Sequence, residues 1–150
     1  MNLLLGCTTV FVSMGIQVTV VVYMIRYVMK ITQRRDRQAD GIGFDTYVIS
    51  LVVIMLFAGH LVQAAVWALL FIYLGEFTDF LTAYYHSTVN FASLGYGDIV
   101  MSEKWRLLGA LEACNGVLMF GLSAGTLLSV MSNLFSHHRS AIIAEHGKTG

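Results

Sequence analysis

The sequence contains no proline and few charged residues. Without proline among its 150 residues, helices can continue unbroken, and any bend depends on glycine. Charged residues make up 12% of the chain and hydrophobic residues 57%, which is not the composition of an ordinary soluble domain. The two cysteines, Cys7 and Cys114, form neither a disulfide framework nor a metal-binding spacing. These absences exclude an ordinary soluble domain and a disulfide-stapled one.

Long apolar runs predict three transmembrane helices. Leu3–Ile25 and Thr46–Gly75 carry no charge, and Leu107–Phe135 carries one, Glu112. Each exceeds the roughly 20 residues that cross a bilayer. Phe80–Phe91 is too short to cross and is predicted to be a re-entrant helix that protein shields from lipid. The predicted fold is an all-α membrane protein with three spans and a re-entrant helix.

The distribution of charge predicts the orientation. The connector from Arg26 to Asp45 is rich in arginine and is predicted to be cytoplasmic by the positive-inside rule. The segment from Glu76 to Arg106 is acidic and is predicted to be external. The N-terminus is then outside and the C-terminus cytoplasmic, in a multi-pass protein of the cell membrane. We divide the chain into 1–45 (first helix and connector), 46–135 (a core unit) and 136–150 (a short cytoplasmic tail).

A glycine-rich segment lies between the second and third spans. Its centre reads Ser93-Leu94-Gly95-Tyr96-Gly97-Asp98. The glycines allow a backbone with positive φ that a Cβ would obstruct. Such a backbone can turn successive carbonyls toward one axis, where they replace the water around a cation.

This arrangement resembles the pore domain of potassium channels. The run Phe80–Ser87 occupies the place of the pore helix, and Asn115–Gly121 resembles part of the inner helix. The resemblance extends from about Thr46 to Met131, so the core unit is the potassium-channel-like part. The first helix is an addition to the family's minimal form, and we expect it to brace the pore or control assembly.

The resemblance implies a passive, potassium-selective channel and not an enzyme. One loop cannot surround an ion, so four copies of the chain are implied around a common axis. The selectivity filter would be Ser93–Gly97, with K⁺ held by the carbonyls of Ser93, Leu94, Gly95 and Tyr96 and by the Ser93 hydroxyl. The implied partners are the lipid bilayer, K⁺ and other copies of the chain. No nucleic acid and no cofactor other than the permeant ion is implied.

The resemblance also implies residues that support the filter. Tyr85 and His86, on the pore helix, are expected to form a cuff with Tyr96. Asp98 is expected to tie the filter to the pore helix, or to be a solvated charge at the mouth.

Glu112 is unusual because a carboxylate inside a span is costly and rarely faces lipid. Three roles remain open for it: support of the filter through Asn90 or the filter backbone, attraction of cations in the cavity, and pairing with His60 or Gln63. We interpret His60 and Gln63 themselves as polar groups that pack helices together.

Gly116 and Gly121 are candidate gating hinges in the third span. Glycine lowers the resistance of a helix to bending, and the family has a hinge glycine near Gly116. Close packing of helices by small residues explains the same glycines equally well.

Three alternatives remain beside a potassium channel. Ser93 and Leu94 stand where the family usually has Thr and Val, which suggests a cation channel of relaxed selectivity. A non-conducting structural or regulatory subunit could have the same fold. A haem or metal protein is a third possibility, but the chain's candidate ligands lack helical ligand spacing within one span; these are His60, His86, His137 and His138.

Overall fold

The computed structural model describes residues 2–33 and 42–146, and it describes side chains at 3–33 and 42–136. It contains four helices: α1 (Asn2–Gln33), α2 (Ile42–Tyr73), α3 (Phe80–Phe91) and α4 (Arg106–His146). Three of them, α1, α2 and α4, are long and apolar enough to cross a membrane, and α3 lies between the last two. The predicted all-α fold with three spans and one short helix is confirmed.

Two of the long helices extend well beyond the predicted spans. The first continues from the predicted end at Ile25 to Gln33, and α4 continues past Phe135 to His146. Arg26 and Lys30 favour helix, and their long side chains can reach the polar edge of a membrane. The first charged residues therefore do not mark where the helix ends. The middle of the predicted connector, 34–41, and the side chains of His137 and His138 lie outside the described residues.

The short helix α3 has the predicted bounds because both ends carry clear signals. Asp79 caps its N-terminus by accepting from the backbone N–H of Thr82 at 2.9 Å. At the C-terminus, the N–H of Ser93 donates to the carbonyl of Asn90 at 2.8 Å. The N–H of Leu94 donates to Val89 at 3.0 Å, which closes the last turn. The chain leaves α3 directly into the glycine-rich segment.

The interior has two apolar clusters separated by a polar layer. One cluster joins α2, α3 and α4 near the glycine-rich segment, and its buried members are Trp67, Phe71, Phe91, Trp105, Leu108 and Met119. The other joins the opposite halves of the three long helices, with Met24, Val48, Val52, Leu56, Val130 and Leu134 buried. Between them along the helices lie buried Gln17, His60, Gln63 and Ser123.

Candidate functional site: the glycine-rich segment and its supports

The backbone of the glycine-rich segment adopts positive φ at every second residue. The φ angles are 57° at Ser93, 58° at Gly95 and 75° at Gly97, and in the described chain Ser93 is the one residue other than glycine with positive φ. From Ser93 to Asp98 every residue is exposed in the single chain. We call Ser93–Asp98, which contains the predicted filter, the filter segment.

Ser93 is strained by this geometry, since residues with a Cβ rarely adopt positive φ. A β-branched residue would be strained further, because its second heavy atom on Cβ adds to the crowding. Serine retains a hydroxyl at the position without that branch. Serine at position 93 therefore avoids the additional crowding that a β-branched residue would meet.

Two neighbouring residues of α3 hold the chain where it leaves the filter segment. The Tyr85 hydroxyl donates to Asp98 Oδ2 at 2.7 Å, and Nδ1 of His86 donates to the carbonyl of Ile99 at 3.2 Å. His86 packs against the rings of Phe71 and Phe77, at centroid distances of 5.8 and 5.1 Å. The structure thus brings Tyr85, His86 and Asp98 together, while Tyr96 is 65% exposed in the single chain.

These contacts also affect the ionisation of the groups involved. The hydrogen bond from Tyr85 holds the pKa of Asp98 below its usual value and raises the pKa of Tyr85. Burial lowers the pKa of His86 and favours the neutral ring, although the hydrogen bond to Ile99 acts in the opposite direction. The support is therefore a carboxylate and a neutral imidazole at neutral pH.

Behind the filter segment, Asn90 and Glu112 meet. Nδ2 of Asn90 donates to Glu112 Oε2 at 2.9 Å and to the carbonyl of Gly109 at 2.8 Å. Glu112 is fully buried, and the hydroxyl of Ser87 lies near its carboxyl group. Oε1 of Glu112 has no hydrogen-bond partner among the described residues, and neither does the amide of buried Asn115. Of the groups proposed to pair with Glu112, the structure places Asn90 beside it, while His60 and Gln63 bond elsewhere.

Gly116 lies where α4 crosses the end of α3. A Cβ at Gly116 would overlap the carbonyl oxygen of Phe91 and lie 2.8 Å from its carbonyl carbon. A Cβ at Gly121, in contrast, would meet nothing within 4 Å. The helix continues through both positions. The two candidate hinges therefore have different surroundings, and only Gly116 has the close backbone contact that the packing explanation requires.

A cleft of about 420 Å³ lies between α3, the filter segment and the start of α4. It is open to the surface of the single chain, and Tyr96 is on its lining. Its lining includes Val89, Asn90, Gly95, Ile99 and Gly109. The space directly behind the filter segment is therefore not filled by the chain itself.

A family model described as "Ion channel" matches residues 51–133. The chain belongs to the ion channel family. The match covers more than half of the chain and includes α3, the filter segment, Glu112 and Gly116, whereas α1 lies outside it. This ion channel is a multi-pass membrane protein and not an enzyme. Comparisons with curated proteins and with solved structures gave no match.

Two supporting contacts of the channel were not predicted from its sequence. Glu76 accepts from the backbone N–H of Ser102 and from its hydroxyl, the latter at 2.7 Å, which ties the end of α2 to the turn before α4. Gln17 bonds to Gln63 and Ser123 on two other helices. Buried amides on apolar helices were a visible signal, but helical spacing alone does not name their partners.

Proposed function

We propose that this chain forms a passive, potassium-selective channel as a homotetramer. The filter would be Ser93–Gly97, with K⁺ coordinated by the carbonyls of Ser93, Leu94, Gly95 and Tyr96 and by the Ser93 hydroxyl. The observation that carries the proposal is the alternation of positive φ at Ser93, Gly95 and Gly97.

The alternation in the sign of φ matters because it determines the direction of the carbonyl groups. In an ordinary extended strand, successive residues face opposite sides. A reversal in the sign of φ at every second residue counters that alternation and lets consecutive carbonyls share one side. A row of carbonyls on one side is what replaces the hydration shell of K⁺.

The exposure of the filter segment supports assembly around an axis. Irregular backbone at membrane depth is tolerated where protein buries it or where it lines a water-filled cavity. In the single chain every residue of the segment is exposed, and Gly95, Tyr96 and Gly97 also line the cleft beside it. Four copies around one axis would line a pore with the filter segments and bring neighbouring chains against the clefts.

We assign supporting roles to the contacts around the segment. Tyr85 and His86 would hold its outer end through Asp98 and Ile99. The bond between Asn90 on α3 and Glu112 on α4 would fix the helix that leads into the segment. Since Glu112 is fully buried and bonded to Asn90, support fits its position better than attraction of cations in the cavity.

Ion flux into liposomes, with K⁺ and Na⁺ gradients tested separately, checks this function. The purified protein should pass K⁺ and discriminate against Na⁺. Gly95→Ala should abolish selective flux while the tetramer persists, because a side chain is strained at a φ of 58°. Gly15→Ala is the matched control, since its Cβ would meet nothing within 4 Å. Equal K⁺ and Na⁺ flux would assign a cation channel of relaxed selectivity, no flux a non-conducting subunit, and normal selectivity in Gly95→Ala would remove the filter assignment.

We further propose that the N-terminus lies outside and the C-terminus in the cytoplasm of the cell membrane. On a background with Cys7 and Cys114 replaced by serine, a membrane-impermeant thiol reagent applied from outside should label Glu103→Cys but not Gln33→Cys. Both positions are exposed in the structure, so a difference in labelling reports the side of the membrane. Permeabilised cells, in which both variants should react, are the control. Labelling of Gln33→Cys alone in intact cells would reverse the orientation.

A further inference from the structure

A hydrogen-bond network in the polar layer joins all three long helices. Nε2 of Gln63 donates to Oε1 of Gln17 at 2.6 Å, and Nε2 of Gln17 donates to Ser123 Oγ at 2.8 Å. Ser123 Oγ in turn lies 3.0 Å from Nε2 of His60. Because Ser123 accepts from Gln17, its own proton remains available for His60. The network therefore connects α2 to α1, α1 to α4, and α4 back to α2.

The side chains of this hydrogen-bond network are buried within the protein. Gln17 and Gln63 are fully buried, and His60 and Ser123 are less than a tenth exposed. The backbone of α2 comes close at Gly59, where a Cβ would lie 2.9 Å from Gln17 Oε1. Hydrogen bonds between helices in a membrane stabilise a particular pairing of helices, since the alternative is a polar group left unpaired in a poor solvent.

Gln17 is suited to the central position because an amide carries both a donor and an acceptor. Its oxygen engages α2 and its nitrogen engages α4. An apolar side chain would do neither, and an ionised carboxylate could only accept. One residue of α1, outside the family's matched region, is thus bonded to both of the spans that the match contains.

The point of contact on α4 lies in its less packed part. Ser123 stands between Gly121 and Gly125, and a Cβ at either glycine would meet nothing within 4 Å. A cleft of about 700 Å³ lies between α1 and α4 on that side, lined by both helices from Ile25 and Gly121 onward. The bond from Gln17 is therefore a directional link to α4 next to a region with space for movement.

We propose that Gln17 is a positioning residue for conduction. It holds α4 at Ser123 in the arrangement seen here and so sets the balance between this arrangement and others that α4 adopts when the pore opens or closes. The first helix thereby controls opening instead of contributing to the ion pathway. The proposal rests on conduction by the channel but not on its selectivity for K⁺.

The test is a double-mutant cycle read by single-channel recording. Gln17→Leu and Ser123→Ala each should shift the ratio of open to closed time by at least about threefold, the size typical of one hydrogen bond between membrane helices. The double variant should shift it by less than the product of the two single changes, because both remove the bond between Gln17 and Ser123. Each single variant also removes one bond of its own, to Gln63 or to His60. Conductance and the K⁺/Na⁺ ratio should be unchanged, which a general loss of structure would not predict.

Ser13→Ala is the matched control. Its hydroxyl is buried one turn before Gln17 and has no hydrogen-bond partner among the described residues, so its removal should leave the open-to-closed ratio unchanged. If Gln17→Leu fails to assemble, Ser123→Ala carries the test, because it removes a single hydroxyl.

Unchanged open-to-closed ratios in both single variants, or additive shifts in the double variant, would overturn the proposal. So would a change in conductance or selectivity with unaltered opening. A wild-type current that does not discriminate K⁺ from Na⁺ would contradict the proposed function and still allow the cycle to be read. A wild-type protein that passes no ion would overturn both proposals.

Discussion

The two halves of α4 within the membrane differ in how closely they are packed. In the filter-side half, residues 106–120, Gly116 touches the backbone of Phe91 and Glu112 is fully buried. In the distal half, residues 121–136, the glycines Gly121 and Gly125 face open space, and a large cleft runs along α1. The link from Gln17 to Ser123 lies just beyond the boundary between them.

This difference indicates that the two halves of one continuous helix have different roles. The filter-side half is fixed by contacts that cannot change without moving α3 and the filter segment. In the single chain, the distal half has fewer buried side chains than the filter-side half, and a Cβ at Gly121 or Gly125 would meet no atom within 4 Å. This combination fits the proposal of an ordered filter at one end of the helix and an opening at the other.

Gly116→Ala should have the largest effect of these substitutions, on assembly and on selective flux. The added Cβ would overlap the carbonyl oxygen of Phe91, which is backbone and cannot rotate away as a side chain could. Overpacking of this kind costs about 3 kcal/mol in each subunit, at the upper end of the usual range. We expect a marked loss of tetramer on native gels and no selective flux from what remains.

Gly121→Ala is the matched control for that change, since the same substitution five residues later in the same helix meets open space. It should assemble like the wild type. Equal loss of tetramer in the two variants would show that the contact with Phe91 is not what distinguishes the two halves.

Glu112→Ala should weaken the filter-side half by a smaller amount. It removes one of the two acceptors of the partly buried Asn90 amide, at a cost of about 1–3 kcal/mol per subunit. Glu112→Gln keeps the shape and an oxygen that can accept from Asn90. We therefore expect unstable or unselective conduction and weaker tetramers in the alanine variant, and a mild effect in the glutamine variant.

The same pair of variants separates support of the filter from attraction of cations. If Glu112 acts through its charge in the cavity, alanine and glutamine should reduce single-channel conductance equally and leave selectivity intact. Recording conductance and K⁺/Na⁺ selectivity for both variants decides between the two roles, and an equal loss would end the support hypothesis.

A structural feature could be predicted from the sequence where its signal lies in neighbouring residues of the chain. The ends of α3 were predictable, because Asp79 is a capping residue and the glycines of the filter segment follow the helix directly. The length of α1 was not, because charged residues mark the membrane edge and favour helix at the same time. Nor was the bond from Gln17 to Ser123, because spacing along a helix identifies a face but not the partner across from it.

Gly116 shows the same limit within the site. Its sequence context supports a hinge and close packing equally, since both use the absence of a Cβ. The choice depends on how α4 crosses α3, a contact between residues 25 positions apart along the chain, Phe91 and Gly116. Such crossings follow from the packing of whole helices and not from any short motif.

Gly121→Ala should have the smallest effect of these substitutions, and it should change only the opening of the channel. Alanine favours a regular helix over glycine by about 0.5–1 kcal/mol, and the structure offers its Cβ free space. If α4 bends at Gly121 when the pore opens, the substitution favours the straight helix seen here. The open-to-closed ratio should then fall by about two- to fivefold for each helix that bends, since 1.4 kcal/mol corresponds to tenfold. Assembly, conductance and selectivity should remain those of the wild type. Gly15→Ala, also in open space but on α1, should change none of these quantities. A ratio of open to closed time in Gly121→Ala that equals the wild-type value would exclude bending at this residue and move the hinge elsewhere along the distal half.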